Sequence, residues 1–285
     1  MLSRPLRKGP CMRKLAVIAV AVISTLGLLS SSAQAARPDT PPPGAAKAMG
    51  WYVALGDSLA AGYQPGAGDD KDGGYVGKVL TAEQAIAPKT KLVNLACSGE
   101  TSSTLVNGGR CEYELGSQLA EAVDFLSAHK FTTRLVTVTI GANDVTPCLS
   151  APDRNACVAQ RLQALAGNLQ QTLAKVHAAA PDAKIVVTNY YNPYLALWFS
   201  DPTLAAITTQ LQVALNNTIA AVTAPYGTTA DVATAFQSFT TTPVNGVPTN
   251  VGVICSLTWM CARSDIHAND AGYALIGQTV AGVLD

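Results

Sequence analysis

Four short segments contain the residues that could carry out nucleophilic chemistry on an acyl group. In chain order they are Gly56-Asp57-Ser58-Leu59, Ser98-Gly99-Glu100-Thr101, Gly141-Ala142-Asn143-Asp144 and Ser264-Asp265-Ile266-His267. A serine hydroxyl needs a nearby base before it attacks a carbonyl carbon, and the base needs an acceptor that holds its other ring nitrogen. The resulting oxyanion needs donors, such as a main-chain N–H or an asparagine amide. Together the segments supply all of these groups.

Each segment also has a purely structural interpretation. Ser58 could be the N-cap of a following helix, and Gly99 or Gly141 could be a turn glycine with positive φ. Asn143 could cap a helix, and His267 could be a solvated surface side chain. The position of each segment in the fold therefore decides whether its role is structural or catalytic.

Apolar, strand-like runs alternate with helical stretches along the chain. The runs cover 51–55, 91–95, 134–140 and 184–190, with a weaker one near 229–233. The helical stretches cover about 75–86, 115–128, 155–179, 202–223 and 271–284. This alternation predicts a parallel sheet covered by helices on both faces. The first three chemical segments follow the first three strands, and the carboxyl ends of parallel strands are where such folds place their sites.

The four segments, in this order and across residues 53–273, resemble the sequence blocks of the GDSL or SGNH hydrolase family, in its secreted bacterial branch. The resemblance implies a flavodoxin-like three-layer α/β/α sandwich with a central, mainly parallel five-stranded sheet. It implies an esterase or lipase that forms an acyl-enzyme on Ser58, with His267 as the base and with neither cofactor nor metal. It also implies an oxyanion hole made by the Ser58 and Gly99 N–H groups and the Asn143 side chain.

The sequence offers two kinds of acceptor that could orient His267. The family usually has an aspartate three residues before the histidine, but Ser264 occupies that position here and Asp265 lies two residues before His267. Either the Asp265 carboxylate or a main-chain carbonyl of Ser264 or Asp265 could accept the ring N–H. We predict the carboxylate, because a full charge stabilises an imidazolium better than a dipole does.

Two other functions fit the same residues. Similar folds remove acetyl groups from sugars, so a carbohydrate O-deacetylase is an alternative to an esterase or lipase. A non-catalytic cell-wall binding protein that keeps the fold is a third interpretation, and the complete set of four segments argues against it. The expected partner is a small-molecule or lipid ester substrate, and we expect a monomer.

The loop 191–203 is rich in large apolar residues and follows the fourth strand. Its apolar side chains either line an acyl pocket or are buried under a surface loop or the start of a helix: Tyr194, Leu195, Leu197, Trp198 and Phe199.

The first 35 residues have the pattern of a secretory signal peptide. Five basic residues precede a 15-residue apolar run, Leu15 to Leu29, and Ala33-Gln34-Ala35 is a small-x-small cleavage site. The run is shorter than the roughly 20 apolar residues of a membrane span. We therefore expect cleavage near Ala35, no stable membrane anchor, a flexible leader over 36–49 and a hydrolase domain over 50–285. The product would be secreted, either extracellular or associated with the cell wall.

Charge and cysteine content agree with export. Residues 1–35 hold no acidic residue, so the remaining chain has 14 basic and 19 acidic residues, and it lacks the basic character that nucleic-acid binding requires. Six cysteines remain after residue 35, an even number that predicts disulfides in an exported protein. Their spacing favours local pairs: Cys97 with Cys111, Cys148 with Cys157, and Cys255 with Cys261.

Overall fold

The computed structural model describes residues 49–284. The expected signal peptide, 1–35, and all of the leader except Met49 lie outside the described residues. The strands are β1 Trp51–Gly56, β2 Lys91–Asn94, β3 Thr133–Thr139, β4 Lys184–Thr188, β5 Thr228–Ala230, β6 Pro243–Val244 and β7 Val247–Pro248. The helices are α1 Gly74–Ile86, α2 Ser102–Asn107, α3 Gln118–Ala128, α4 Ala142–Val145, α5 Arg154–Ala179, α6 Pro202–Thr223, α7 Val232–Ala235, α8 Thr249–Leu257, α9 Met260–Arg263 and α10 Asp270–Ala281. Two 3-10 segments cover Thr146–Ser150 and Pro193–Phe199.

The central sheet has five strands in the order β2-β1-β3-β4-β5, and every neighbouring pair is parallel. The predicted α/β fold with a five-stranded parallel sheet is therefore confirmed. The chain leaves β1 for β2 on one side and then crosses to β3 on the other. The carboxyl end of β1 is thus the point where the strand order reverses, the usual location of a site in such sheets.

The strands form because their residues suit burial on both faces. Tyr52, Val53, Ala54 and Leu55 in β1 are fully buried, and β4 buries Ile185 to Thr188. Nearly continuous apolar or β-branched runs are what a parallel sheet under two helical layers requires. The long helices then cover the sheet and leave its carboxyl edge to the loops.

Several elements differ from the sequence prediction. A short helix, α2, follows β2 where no element was expected, and the loop 240–250 contains a two-stranded antiparallel hairpin of β6 and β7. Asn245 and Gly246 both have positive φ at its turn, which is the signature of a type I′ connection. Pro243 and Pro248 flank that turn and mask its strand pattern in the sequence.

The structure contains three disulfides, which are the local pairs that the cysteine spacing predicts: Cys97–Cys111, Cys148–Cys157 and Cys255–Cys261. Across residues 49–284, no helix combines the length and the apolar character that a bilayer crossing demands.

Candidate active site

The turn after β1 presents Ser58 at the carboxyl edge of the sheet. Gly56 has φ of +132°, and a Cβ atom there would lie 2.0 Å from the main-chain oxygen of Thr139 in β3. Only glycine lets β1 and β3 approach this closely before the chain turns. The Asp57 N–H then donates to the same Thr139 oxygen at 2.9 Å. The side chain of Gln118 holds Gly56 on both sides, because it accepts from the Gly56 N–H at 2.6 Å and donates to its carbonyl at 3.1 Å.

The side chain of Asp57 stabilises the turn through two hydrogen bonds. Its Oδ1 accepts from the Leu59 N–H at 3.0 Å, and its Oδ2 accepts from the Tyr190 hydroxyl at 2.5 Å. Burial raises the pKa of the Asp57 carboxyl from 3.8 to about 7, although both hydrogen bonds act in the opposite direction. Asp57 thus fixes the backbone around Ser58 and has no contact with the His267 ring.

Ser58, His267 and Asp265 form a continuous hydrogen-bonded row. Ser58 Oγ lies 2.8 Å from His267 Nε2, and His267 Nδ1 lies 2.7 Å from Asp265 Oδ1. If Nδ1 carries the proton and donates it to the carboxylate, Nε2 is free to accept the hydroxyl proton of Ser58. The carboxylate arrangement, rather than the main-chain carbonyl, is the one that the structure adopts. The His267 N–H also donates to Asp265 Oδ1, at 2.9 Å.

The loop that carries His267 is held by contacts from several elements. The Tyr191 hydroxyl donates to the Ile266 carbonyl at 2.8 Å, and the Trp259 N–H donates to the His267 carbonyl at 2.9 Å. The Tyr63 ring packs on the imidazole with a centroid distance of 4.4 Å. Ser264 has φ of +54°, a left-handed conformation that ends α9 and turns the chain so that Asp265 reaches back to the ring.

Three donors lie on neighbouring strand ends. Ser58 follows β1, Gly99 follows β2 and Asn143 follows β3. Inside residues 49–284, the main-chain N–H groups of Ser58 and Gly99 donate no hydrogen bond. Asn143 Nδ2 donates to the Glu100 carbonyl at 2.9 Å, which fixes the amide and leaves its second hydrogen. Unused donors at adjacent strand ends are what an oxyanion hole requires.

Asp144 connects two of the loops that carry these donors. Its carboxylate accepts from the Ser102 N–H at 2.8 Å and from the Ser102 hydroxyl at 2.5 Å. Burial raises the pKa of this carboxyl above its ordinary value. The contact fastens the start of α2, three residues after Gly99, to α4, which carries Asn143.

The sequence as a whole matches one family model. The model of the GDSL-like Lipase/Acylhydrolase family aligns with residues 54–275, and this range contains all four chemical segments. The chain belongs to this family. A comparison with curated protein sequences gives no significant match.

Two solved structures with a similar fold are lipases by name. The chain is similar to the lipase Lip_vut3 from a goat rumen metagenome, with a TM-score of 0.57 and 17% identity over 83% of this chain and 100% of that one. It is also similar to the extracellular lipase of Streptomyces rimosus, with a TM-score of 0.53 and 23% identity over 81% of this chain and 100% of that one. At these identities the likeness shows the fold alone.

An apolar cavity opens beside Ser58 in this GDSL-like protein. Its walls come from α4, the segment after β4 and helix α6, and they include Val145, Tyr190, Tyr194, Leu211 and Leu215. A cavity of this kind, next to a candidate nucleophile, suits the apolar part of a substrate.

Some of the apolar residues after β4 line the cavity, and others are buried in the core, as the two interpretations of this loop allowed. Tyr194 lines the cavity. Leu195 is buried in the core, Trp198 packs at its edge, and Phe199 is 59% exposed. They lie on a 3-10 segment, whose tight winding turns successive side chains in different directions. Of the five apolar residues singled out in this loop, only Tyr194 lines the cavity, and the rest of the loop's contribution comes from Tyr191, Asn192 and Pro193. Helix α6 supplies an equal share of the wall.

The sequence did not predict several residues that hold the Ser58 turn and the His267 loop in place. They are Gln118, Tyr190, Tyr191, Tyr63 and Trp259. All but Trp259, which bonds His267 nearby, act through a contact with a residue far along the chain, as when Gln118 bonds Gly56 or Tyr190 bonds Asp57. Tyr190 and Tyr191 had one sequence signal, since they directly follow a buried strand, where sites gather. Among residues 49–284, no group of three or more His, Cys, Asp or Glu side chains is placed to hold a metal ion.

Proposed function

We propose that the protein is a secreted serine ester hydrolase, an esterase or lipase, that works through an acyl-enzyme on Ser58. The observation that carries the proposal is the row Ser58 Oγ, His267 Nε2, His267 Nδ1 and Asp265 Oδ1, with separations of 2.8 and 2.7 Å. Distances of this size put the nucleophile, base and acceptor within hydrogen-bond reach of one another.

The reaction begins when His267 Nε2 removes the Ser58 proton as Oγ attacks the ester carbonyl carbon. The negative charge that forms on the carbonyl oxygen is stabilised by the Ser58 and Gly99 N–H groups and the Asn143 amide. Protonated His267 then gives its proton to the departing alkoxide, and the acyl group stays on Ser58. Water, deprotonated by His267, attacks the acyl-enzyme. The bond from the acyl carbon to Ser58 Oγ then breaks, His267 returns the proton to Oγ, and the acid is released. Asp265 keeps the ring oriented and stabilises the imidazolium in both halves.

The apolar cavity supports an acyl group larger than acetyl in this site. Leu211, Leu215 and Val145 line it, and apolar contacts of this kind gain about 0.8 kcal/mol for each buried methylene. We therefore assign the cavity to the acyl half of the ester and the open side of the site to the alcohol half.

Export is part of the proposal. Disulfides persist in oxidising compartments. The three disulfides, including Cys255–Cys261 next to the His267 loop, therefore support export. The signal-peptide pattern of residues 1–35 supports the same destination. The mature N-terminus of the secreted protein, read by sequencing, is expected just after Ala35.

Substitution of Ser58 by alanine tests the mechanism. Loss of a triad serine lowers turnover by on the order of 10⁶-fold, so Ser58→Ala is expected to be inactive on p-nitrophenyl esters while it melts like the wild type. A fluorophosphonate probe is expected to label the wild type and not this variant. Ser103→Ala, a change at an exposed serine of α2, is the matched control. Turnover by Ser58→Ala within tenfold of the wild type would contradict the mechanism.

The acyl chain series defines the substrate class. We expect p-nitrophenyl butyrate or a longer ester to be cleaved with a higher kcat/KM than the acetate. A clear preference for the acetyl group, together with release of acetate from acetylated xylan, would instead support a carbohydrate O-deacetylase.

A further inference from the structure

The cavity wall contributed by α6 contains an unexpected row of polar residues. Thr208, Gln212 and Asn216 follow each other at intervals of four, so they lie on one face of the helix. Their exposed fractions are 2%, 5% and 7%. Thr208 and Gln212 line the cavity beside Ser58. A buried helix face is ordinarily apolar, so each of these groups needs a hydrogen-bond partner.

Two of the three side chains are satisfied by the segment that follows β4. The Asn192 amide donates to Thr208 Oγ1 at 3.0 Å, and Thr208 donates in turn to the Ala205 carbonyl at 2.8 Å. Asn216 accepts from the Tyr190 N–H at 3.0 Å and donates to the Tyr190 carbonyl at 2.9 Å. These bonds lock the polar row against the cavity wall.

Gln212 is satisfied on one side only. Its Nε2 donates to the Tyr190 carbonyl at 2.8 Å, and this fixes the amide orientation, because a carbonyl oxygen cannot donate to another carbonyl. The other atom, Oε1, is fully buried and accepts no hydrogen bond from any residue in the described part of the chain. A buried acceptor without a donor is costly, and this one belongs to a residue that lines the substrate cavity.

We propose that Gln212 Oε1 is a specificity-determining acceptor for a hydrogen-bond donor on the acyl group of the substrate. The preferred ester then carries a hydroxyl or an amide N–H along its acyl chain, rather than a plain alkyl chain. The remaining wall, with Leu211, Leu215 and Val145, contacts the carbon skeleton on either side of that donor. This inference rests on the proposed ester hydrolysis at Ser58 and on the assignment of the cavity to the acyl half.

Matched ester pairs test this preference in the wild type. The pairs are the p-nitrophenyl esters of butyrate and 3-hydroxybutyrate, of hexanoate and 3-hydroxyhexanoate, and of pentanoate and N-acetylglycine. Each kcat/KM is divided by the rate of alkaline hydrolysis of the same ester, which removes differences in chemical reactivity. At least one donor-bearing ester is expected to exceed its plain partner by about tenfold or more, the gain expected when a buried acceptor receives its donor. The hydroxyl and amide arms show which donor fits.

Two variants assign the preference to Gln212. Gln212→Leu is expected to abolish the donor preference while it still cleaves the plain esters, and Gln210→Leu, the same change at an exposed position of α6, is expected to keep it. Gln212→Met serves if the leucine variant does not fold. The 3-methoxybutyrate ester is expected to lose the advantage in the wild type, since it keeps the oxygen but has no hydrogen to donate.

The outcomes separate the two proposals. If the wild type cleaves plain esters and favours no donor-bearing ester, the assignment to Gln212 is wrong and the proposed function stands. The assignment is equally wrong if Gln212→Leu retains the preference, because the donor then binds elsewhere. If the wild type cleaves no ester in the series and no fluorophosphonate label forms at Ser58, the proposed function itself fails.

Discussion

Ser58 and His267 contact each other but lie in two regions that are held in place by different kinds of contact. The nucleophile turn, residues 56–59, is held by the interior: Gly56 lies against β3, Gln118 bonds it from α3, and Asp57 is 2% exposed. The histidine loop, residues 264–267, lies near the surface, where the Asp265 side chain is 23% exposed. It is held by a disulfide between α8 and α9 and by hydrogen bonds from Tyr191 and Trp259.

This difference predicts that substitutions in the two regions have different effects on stability and on rate. The turn that carries Ser58 shares the stability of the core, so changes to its supports, Gly56, Asp57 and Gln118, affect folding as well as rate. A base on a cross-linked surface loop can be altered with little loss of global stability, so changes near His267 affect mainly the rate. Substitutions in the two regions therefore separate effects on rate from effects on stability.

The largest effect in the histidine loop is expected from Asp265→Asn. The substitution keeps the shape of the side chain and removes the charge that stabilises the imidazolium, and such a change costs about 10⁴ in turnover. The melting temperature is expected to stay close to that of the wild type. Steady-state kinetics on a p-nitrophenyl ester give the kcat. Asp270→Asn, three residues after His267, is the control and is expected to change kcat by less than about threefold. If Asp265→Asn kept more than about a tenth of wild-type turnover, a main-chain carbonyl would orient the histidine.

Asn143→Ala is expected to have the next largest effect. It removes one of several donors to the oxyanion, and the loss of one such donor costs roughly 10² to 10³ in kcat. KM is expected to change much less, because the interaction strengthens as charge develops on the oxygen. Asn107→Ala at the exposed end of α2 should behave like the wild type. A fall in kcat of less than about threefold would remove Asn143 from the oxyanion hole.

Removal of the Cys255–Cys261 disulfide tests whether this cross-link positions the histidine loop. Replacement of both Cys255 and Cys261 by serine opens a short loop, which costs roughly 2–3 kcal/mol in the chain-entropy model. We expect kcat to fall about tenfold, because a loosened loop misplaces the His267 ring. Replacement of Cys148 and Cys157 is the matched comparison. Equal falls in kcat for the two pairs, measured with urea unfolding alongside, would argue that neither disulfide acts through the histidine loop.

The smallest expected effect is a change in how stability depends on pH. The Asp57 pKa is raised from 3.8 to about 7 in the folded protein, so the folded chain holds this proton more tightly than the unfolded chain does. The stabilisation is complete below pH 3.8, declines as the pH rises and is lost above about 7. Asp57→Asn is therefore expected to flatten the fall in unfolding free energy between pH 4 and 7.5, by on the order of 1 kcal/mol or more.

Urea unfolding at several pH values measures this slope. Asp124→Asn, at an exposed position of α3, is the control and is expected to leave the slope unchanged. Parallel curves for the wild type and Asp57→Asn would show that the buried carboxyl does not titrate in this range.

Much of the fold was predictable because its signals are local. The apolar runs at 51–55, 134–140 and 184–190 coincide with β1, β3 and β4 within a few residues, since strands buried on both faces leave continuous apolar sequence. The hairpin near Asn245 was missed because prolines flank its turn. The segment Pro193–Phe199 was ambiguous, since an apolar cluster without a helical or strand period does not indicate which side chains are buried.

The positions of Ser58, Gly99 and Asn143 at one edge of the sheet also followed from the sequence, because parallel strands end together. His267 follows no strand of the sheet, so only the family resemblance placed it beside Ser58. The supports of the site did not follow from the sequence. Gln118 reaches Gly56 across 62 residues, and Tyr190 reaches Asp57 across 133. Such contacts depend on the final packing of distant elements, and no periodicity or motif in the chain encodes them.

Tyr190 has a consequence for any effort to redesign the substrate range. Its hydroxyl bonds Asp57 under the nucleophile, and its carbonyl receives the amides of Gln212 and Asn216 in the cavity wall. A change that enlarges the cavity by moving α6 would therefore also shift the support of Ser58. Selectivity and turnover are coupled through one residue, so substitutions on α6 will be non-additive with substitutions at Asp57. An engineer who wants a new acyl preference without a slower enzyme should leave Tyr190 in place and vary Val145, a cavity residue outside α6.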